Sequence, residues 1–201
     1  MISPGKLVPS SFNRAPVFGL ILFIATFFIY GVFQGVQADE LDNAFKVEGD
    51  YCTLYFVGNV DFNELDKHLN IRFVNISEME RRALRTTSSI SKRIALKCDI
   101  ILLRSEQILD MYPADFHVNV VFYETTEMLD DAYEEIMSER RHLYSYYVYE
   151  NNTIYTTQSR INENVLGHEF GHAIVNHYFI VRPPETVREL LSQYVDYHLK
   201  D

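Results

Sequence analysis

The sequence predicts an α+β domain built on a mixed sheet, and three observations predict it. Runs rich in Val, Ile, Tyr and Phe, at residues 51–57, 116–123, 143–149 and 153–157, read as strands. Between and after them, apolar residues recur at three- and four-residue steps, the spacing of a helix with one buried face. With 201 residues, 47 % of them hydrophobic and 14 % aromatic, the chain holds one domain with a sizeable core.

The first 38 residues stand apart from that domain. Val17 to Phe33 carries no charge, Lys6 and Arg14 precede it, and no acidic residue comes before Asp39. Val36-Gln37-Ala38 then places small residues at the two positions a signal peptidase reads. The run is long for a signal peptide and just long enough to span a bilayer. It predicts a cleaved signal peptide or an uncleaved N-terminal membrane anchor through residues 17–33. Both readings export residues 39–201 to a periplasmic or extracellular setting.

Residues 39–50 are polar and acidic and read as a tether. Tyr51 to Val57 is the first strand, stopped by Gly58-Asn59. Val60 to Leu69 reads as a short helix with Asp61 as its cap, and Ile71 to Val74 as a second strand. From Ser77 the pattern is helical; Ser89 to Met111 carries the longest apolar stripe, ended by Tyr112-Pro113. Phe116 to Tyr123 is a clear strand in which His117 is a structural residue, and a capped helix spans Thr126 to Glu139. Leu143 to Tyr149, a turn at Glu150-Asn151-Asn152, and Thr153 to Thr157 read as a hairpin. Cys52 falls on the first strand and Cys98 on the long helix. An even pair in an exported chain predicts one disulfide, with two buried free thiols as the alternative.

The net charge is −10. Loss of Lys6 and Arg14 with the leader leaves the domain more acidic still. With no clustered Lys and Arg to neutralise phosphates, the composition argues against nucleic-acid binding.

The chemistry concentrates near the C-terminus. Val165 to Val175 contains His168-Glu169-Phe170-Gly171-His172, the pattern His-Glu-x-x-His. On a helix, His168 and His172 share a face one turn apart, so both imidazoles can reach one metal ion. Asn162 or Asn164 caps this helix, and Arg182-Pro183-Pro184 ends the region. A last helix, from about Pro184 to His198, offers Glu185, Glu189, Asp196 and His198 as further ligands. Glu189 is the best placed of these. Glu185 reads as a first-turn residue favoured by the helix dipole. Gln193 and Asp196 share the Glu189 face and are candidates to orient the ligands.

These residues carry a resemblance. His168 to His172 followed by Glu189-Leu190-Leu191-Ser192-Gln193-Tyr194-Val195 resembles the gluzincins, the thermolysin-like clan of zinc metallopeptidases, over roughly the last 50 residues. The resemblance implies a zincin-like fold with an active-site helix and a C-terminal ligand helix. It implies Zn2+ held by His168, His172 and Glu189, with Glu169 as general base in peptide-bond hydrolysis. It implies a substrate-binding edge strand at Thr153 to Thr157 and a peptide or protein substrate. For the oxyanion stabiliser it leaves Tyr197 or Tyr194. Two departures stand out: residue 193 is Gln where the pattern often has an acid, and the chain ends soon after the ligand helix. The second motivates an alternative, a non-catalytic zinc-binding interaction module of the envelope.

Overall fold

The computed structural model describes Leu41 and residues 43–200. The predicted signal peptide or anchor lies outside the described residues. Five strands form one sheet: β1 (Phe45–Glu48), β2 (Cys52–Val57), β3 (Val118–Tyr123), β4 (Ser145–Val148) and β5 (Thr153–Thr157), in the order β1-β2-β3-β5-β4. The central β2, β3 and β5 are parallel, and the edge strands β1 and β4 are antiparallel to their neighbours. The expected α+β architecture with a mixed sheet is therefore present.

The central strands are apolar on both faces because helices cover both, as parallel strands require. Leu54, Phe56, Val120, Phe122 and Ile154 face one side. Val57, Val121, Tyr123 and Tyr155 face the other. Between β2 and β3 the chain makes α1 (Phe62–His68), α2 (Glu78–Thr86) and α3 (Ile90–Leu109). Between β3 and β4 it makes α4 (Thr126–Met137), and after β5 it makes α5 (Glu163–Tyr178) and α6 (Glu185–His198). Ile94, Ile101 and Leu102 of α3 and Leu166, Phe170 and Ile174 of α5 pack with the Leu54 face. Leu129 and Ala132 of α4 pack with the Tyr155 face. Among the described residues no helix is long and apolar enough to cross a membrane.

Four expectations are corrected. Residues 45–48, read as tether, form β1. The turn that returns β1 onto β2 is held by a distant residue: Asp50, Tyr51 and Cys52 donate their backbone N–H groups to the Asp99 carboxylate at 2.8, 2.9 and 2.9 Å. Gly49 admits that carboxylate, since a Cβ there would lie 2.6 Å from Asp99 Oδ2. Ile71–Phe73 is a single 3-10 turn, not a strand, because the Asn70 side chain accepts from the Arg72 N–H and closes it. Thr153 to Thr157 is interior to the sheet; β4 takes the edge, because the hairpin folds outward from β3.

The fourth correction concerns the cysteines. Cys52 and Cys98 are free, fully buried thiols, and the expected disulfide is not formed. Sequence position puts one on β2 and one on α3 but fixes neither their separation nor the direction of their Cβ bonds. Burial raises both thiols well above the ordinary range, so they act as small core groups rather than nucleophiles. His117 is structural as expected, with Nε2 at 2.7 Å from Thr53 Oγ1.

Candidate metal centre

Helix α5 starts at Asn162, whose side chain accepts from the N–H groups of Asn164 and Val165, both at 3.0 Å. This decides between the two predicted caps. Asn164 instead reaches across to α6, donating through Nδ2 to Asp196 O at 2.9 Å and Oδ1 at 2.7 Å. That bond ties the start of α5 to the far end of α6. Asp196, expected beside the imidazoles, is engaged here.

Two glycines let α5 and α6 approach closely. A Cβ on Gly171 would lie 2.8 Å from the Ser192 Cα, a backbone atom that cannot swing aside. A Cβ on Gly167 would lie 3.2 Å from Leu199 Cδ2. Ser192 and Val195 of α6, with Leu199 just past its end, are the buried residues that meet them. The close crossing brings Glu189 to the half-buried side of α5 from which His168 and His172 project.

The three side chains converge. His168 Nε2 and His172 Nε2 stand 3.1 Å apart, and Glu189 Oε2 lies 3.7 Å from the first and 3.3 Å from the second. Ligand atoms about 2.0–2.1 Å from a tetrahedral zinc ion are separated by roughly 3.3 Å. The observed spacings bracket that value, and the set of two imidazoles and one carboxylate suits zinc. Among the described residues this is the group of His, Cys, Asp and Glu side chains that could hold a metal ion.

The surroundings prepare those groups. Burial, then the adjacent His168, hold His172 below its ordinary pKa, with Glu189 opposing. A neutral imidazole is the form that binds a metal. Gln193, one turn past Glu189, donates through Nε2 to Glu189 Oε1 at 2.8 Å. One oxygen of Glu189 is thus fixed by the helix, and the other faces the histidines. Asn176 donates through Nδ2 to the His172 carbonyl at 2.8 Å, and Arg182 Nε donates to Asn176 Oδ1 at 2.9 Å.

Glu169 is 6 % exposed on α5. Burial pushes its carboxyl up to about 8, against a hydrogen bond from Ser145, while the Glu189 charge adds to the rise. Ser145 begins the edge strand β4 and donates through Oγ to the Tyr155 carbonyl at 3.2 Å. Glu185 pairs with Arg188 in the first turn of α6, away from the ligand trio. Tyr194 and Tyr197 do not join it either: both lie on the solvent side of α6, 48 % and 81 % exposed, with ring centroids 4.2 and 5.2 Å from that of His198.

The sequence reading therefore named the three side chains that the structure brings together, and Gln193 beside Glu189, but not the other residues around them. Ser145 carries no sequence signal beyond its place in a strand. Asn176 had one: a polar residue at i+4 from His172 within an apolar helix. Arg188 had one too, as the residue before Glu189. Comparison with protein-family models, with curated proteins and with solved structures finds no match.

Proposed function

We propose that this chain is an exported zinc-dependent peptidase with a zincin-like domain at residues 39–201, as the resemblance to the gluzincins implies. One observation carries the reading: His168 Nε2, His172 Nε2 and Glu189 Oε2 converge to 3.1–3.7 Å beside the buried Glu169. A closed structural site has four protein ligands and no use for an adjacent base, whereas a catalytic site has three and leaves a position open.

When bound, zinc supplies a Lewis acid that polarises a carbonyl and lowers the pKa of water to about 7. His168, His172 and Glu189 would hold the ion, and Gln193 bonds the Glu189 oxygen turned away from the histidines. The Glu169 carboxylate takes a proton from the attacking water and delivers it to the leaving amine nitrogen as the C–N bond breaks. The outer edge of β4 offers backbone groups to which an extended peptide can add as a further strand. Tyr194 and Tyr197, which the resemblance offers as oxyanion stabilisers, lie on the solvent side of α6, so replacement of either by Phe is expected to leave hydrolysis nearly unchanged.

A second reading has its own observation. Val187, Leu190, Tyr194 and Tyr197 follow one face of α6, Ile180 and Val181 precede them, and all six are exposed. Such a stripe suits a partner protein, and with it a non-catalytic zinc-binding interaction module of the envelope.

Zinc content and hydrolysis of an unfolded protein substrate decide. The wild-type chain is expected to carry about one zinc, and Glu169→Gln to keep it while activity falls about 10²–10⁴-fold. Glu189→Ala loses the metal. A metal-free wild type sinks both readings, and bound zinc without Glu169-dependent hydrolysis selects the second.

A further inference from the structure

The exposed apolar side chains of this domain gather at one place. Fifteen large ones are exposed among the described residues, and eight of them fall between Tyr178 and Tyr197. Four are consecutive: Tyr178 to Val181, at the tip between α5 and α6, with Ile180 and Val181 105 % and 81 % exposed. The other four, Val187, Leu190, Tyr194 and Tyr197, follow one face of α6 at steps of three and four residues.

The fold holds this tip out instead of letting it collapse onto the core. Arg182 Nε donates to Asn176 Oδ1 at 2.9 Å, and its guanidinium lies 4.9 Å from the centre of the Tyr149 ring. Pro183 and Pro184 fix their own φ angles, and the Pro184 carbonyl accepts from the N–H groups of Val187 and Arg188 as α6 begins. Both ends of the tip are pinned, so Ile180 and Val181 are presented to solvent.

Shape and charge decide what covers them. Consecutive side chains of a non-helical segment point to different sides, so a flat protein surface reaches only part of such a tip, whereas fluid hydrocarbon surrounds it. The chain has 28 acidic residues, yet none lies between Glu169 and Glu185, and Arg182 is the one Lys or Arg in that stretch. A bilayer surface presents phosphates, which repel carboxylates and accept a cation beside an inserted apolar segment. The acids of α6 stand off the apolar stripe and are engaged within the domain: Glu185 by Arg188, Glu189 by Gln193, Asp196 by Asn164. Tyrosine, with an apolar ring and a polar hydroxyl, settles at the headgroup level. The sequence expectation for residues 17–33, a signal peptide or an anchor, brings the chain to a membrane in either reading.

We propose that the tip from Tyr178 to Val181 and the outward face of α6 dock this domain on a phospholipid bilayer, the tip entering the acyl layer and α6 lying along the headgroups. Glu189 lies between Val187 and Leu190 on α6, so docking lays the candidate metal centre beside the membrane surface. The proposal does not rest on the peptidase reading.

The chain has no Trp, so one substituted Trp reports its own depth. The full chain carrying Ile180→Trp is mixed with phosphatidylcholine vesicles whose acyl chains are brominated and quench an indole only on close approach. Met79→Trp, on α2 at a side chain 79 % exposed, is the control. Each signal belongs to one site, so membrane contact by residues 17–33 does not produce it at residue 180. Emission from Ile180→Trp should shift to the blue by about 10 nm and be quenched about twofold, and Met79→Trp should show neither. Tyr197→Trp should shift as well, with weaker quenching. Adding Val181→Asp to Ile180→Trp should return the tip to the control level, and a thermal melt of each variant checks that it folds. An unshifted tip leaves the stripe to a protein partner and overturns the docking. So do an unshifted residue 197, equal quenching at residue 79, or quenching that survives Val181→Asp. A blue shift without lipid that grows with protein concentration assigns the face to a second copy of this chain and overturns it too.

Discussion

Glu189 offers two oxygens, and the fold assigns them different work. Oε2 faces the two imidazoles, while Oε1 accepts from Gln193. An acid at residue 193, as in the pattern this chain resembles, cannot donate that bond when ionised. Gln193→Leu should therefore weaken zinc binding about 10–100-fold, measured by competition with a chelator, and Gln193→Glu should not restore it. Asp66 makes a different residue-scale case. Burial works against its charge, but Arg93 and Lys97 hydrogen-bond the carboxylate and hold its pKa below the ordinary 3.8. A depressed carboxylate contributes stability above its unfolded pKa and loses it as pH falls through the folded value. Asp66→Asn should then cost about 1–3 kcal/mol in urea melts at pH 7 and nearly nothing once the pH is below the folded pKa.

At the scale of elements, two helix contacts set the geometry of the site. The α5–α6 crossing needs a hydrogen at residue 171, because the nearest atom to an added Cβ is the Ser192 backbone. Gly171→Ala should push α6 outward and carry Glu189 away from His168 and His172. We expect about 1–3 kcal/mol of lost stability, with a larger relative loss of zinc affinity than a surface change of equal stability cost. Equal zinc affinity in that variant would show that the crossing does not place the ligand. On α3, the Asp99 carboxylate gathers three backbone N–H groups of the β1–β2 turn. Asp99→Ala should cost about 2–4 kcal/mol and open the β1 amides to hydrogen exchange before those of β3.

For the whole molecule, the proposed metal site predicts a link between metal and stability. An ion held by His168, His172 and Glu189 would join α5 to α6, so a chelator should lower the thermal midpoint of the wild type and leave that of Glu189→Ala unchanged. Both cysteines should resist alkylation until the chain is unfolded, since each is wholly buried. The sequence by itself determined the central strands, the long helices and the three side chains that converge as a candidate metal site. Those features are written in local periodicity: apolar runs for β3 and β5, helical spacing for α3, and imidazoles at i and i+4 on α5. It named Glu189 because loop length and helical rise bound the reach of the next helix. The tertiary structure decided what depends on contacts between residues far apart in the chain. Strand β1 exists because Asp99, 49 residues beyond Asp50, closes its turn. The sheet edge fell to β4 rather than β5 because a parallel strand pairs by crossover, which no local pattern encodes. Cys52 and Cys98 stayed unbonded and Asn164 met Asp196 for the same reason: side-chain directions across packed elements are set by the packing, and periodicity gives only the face.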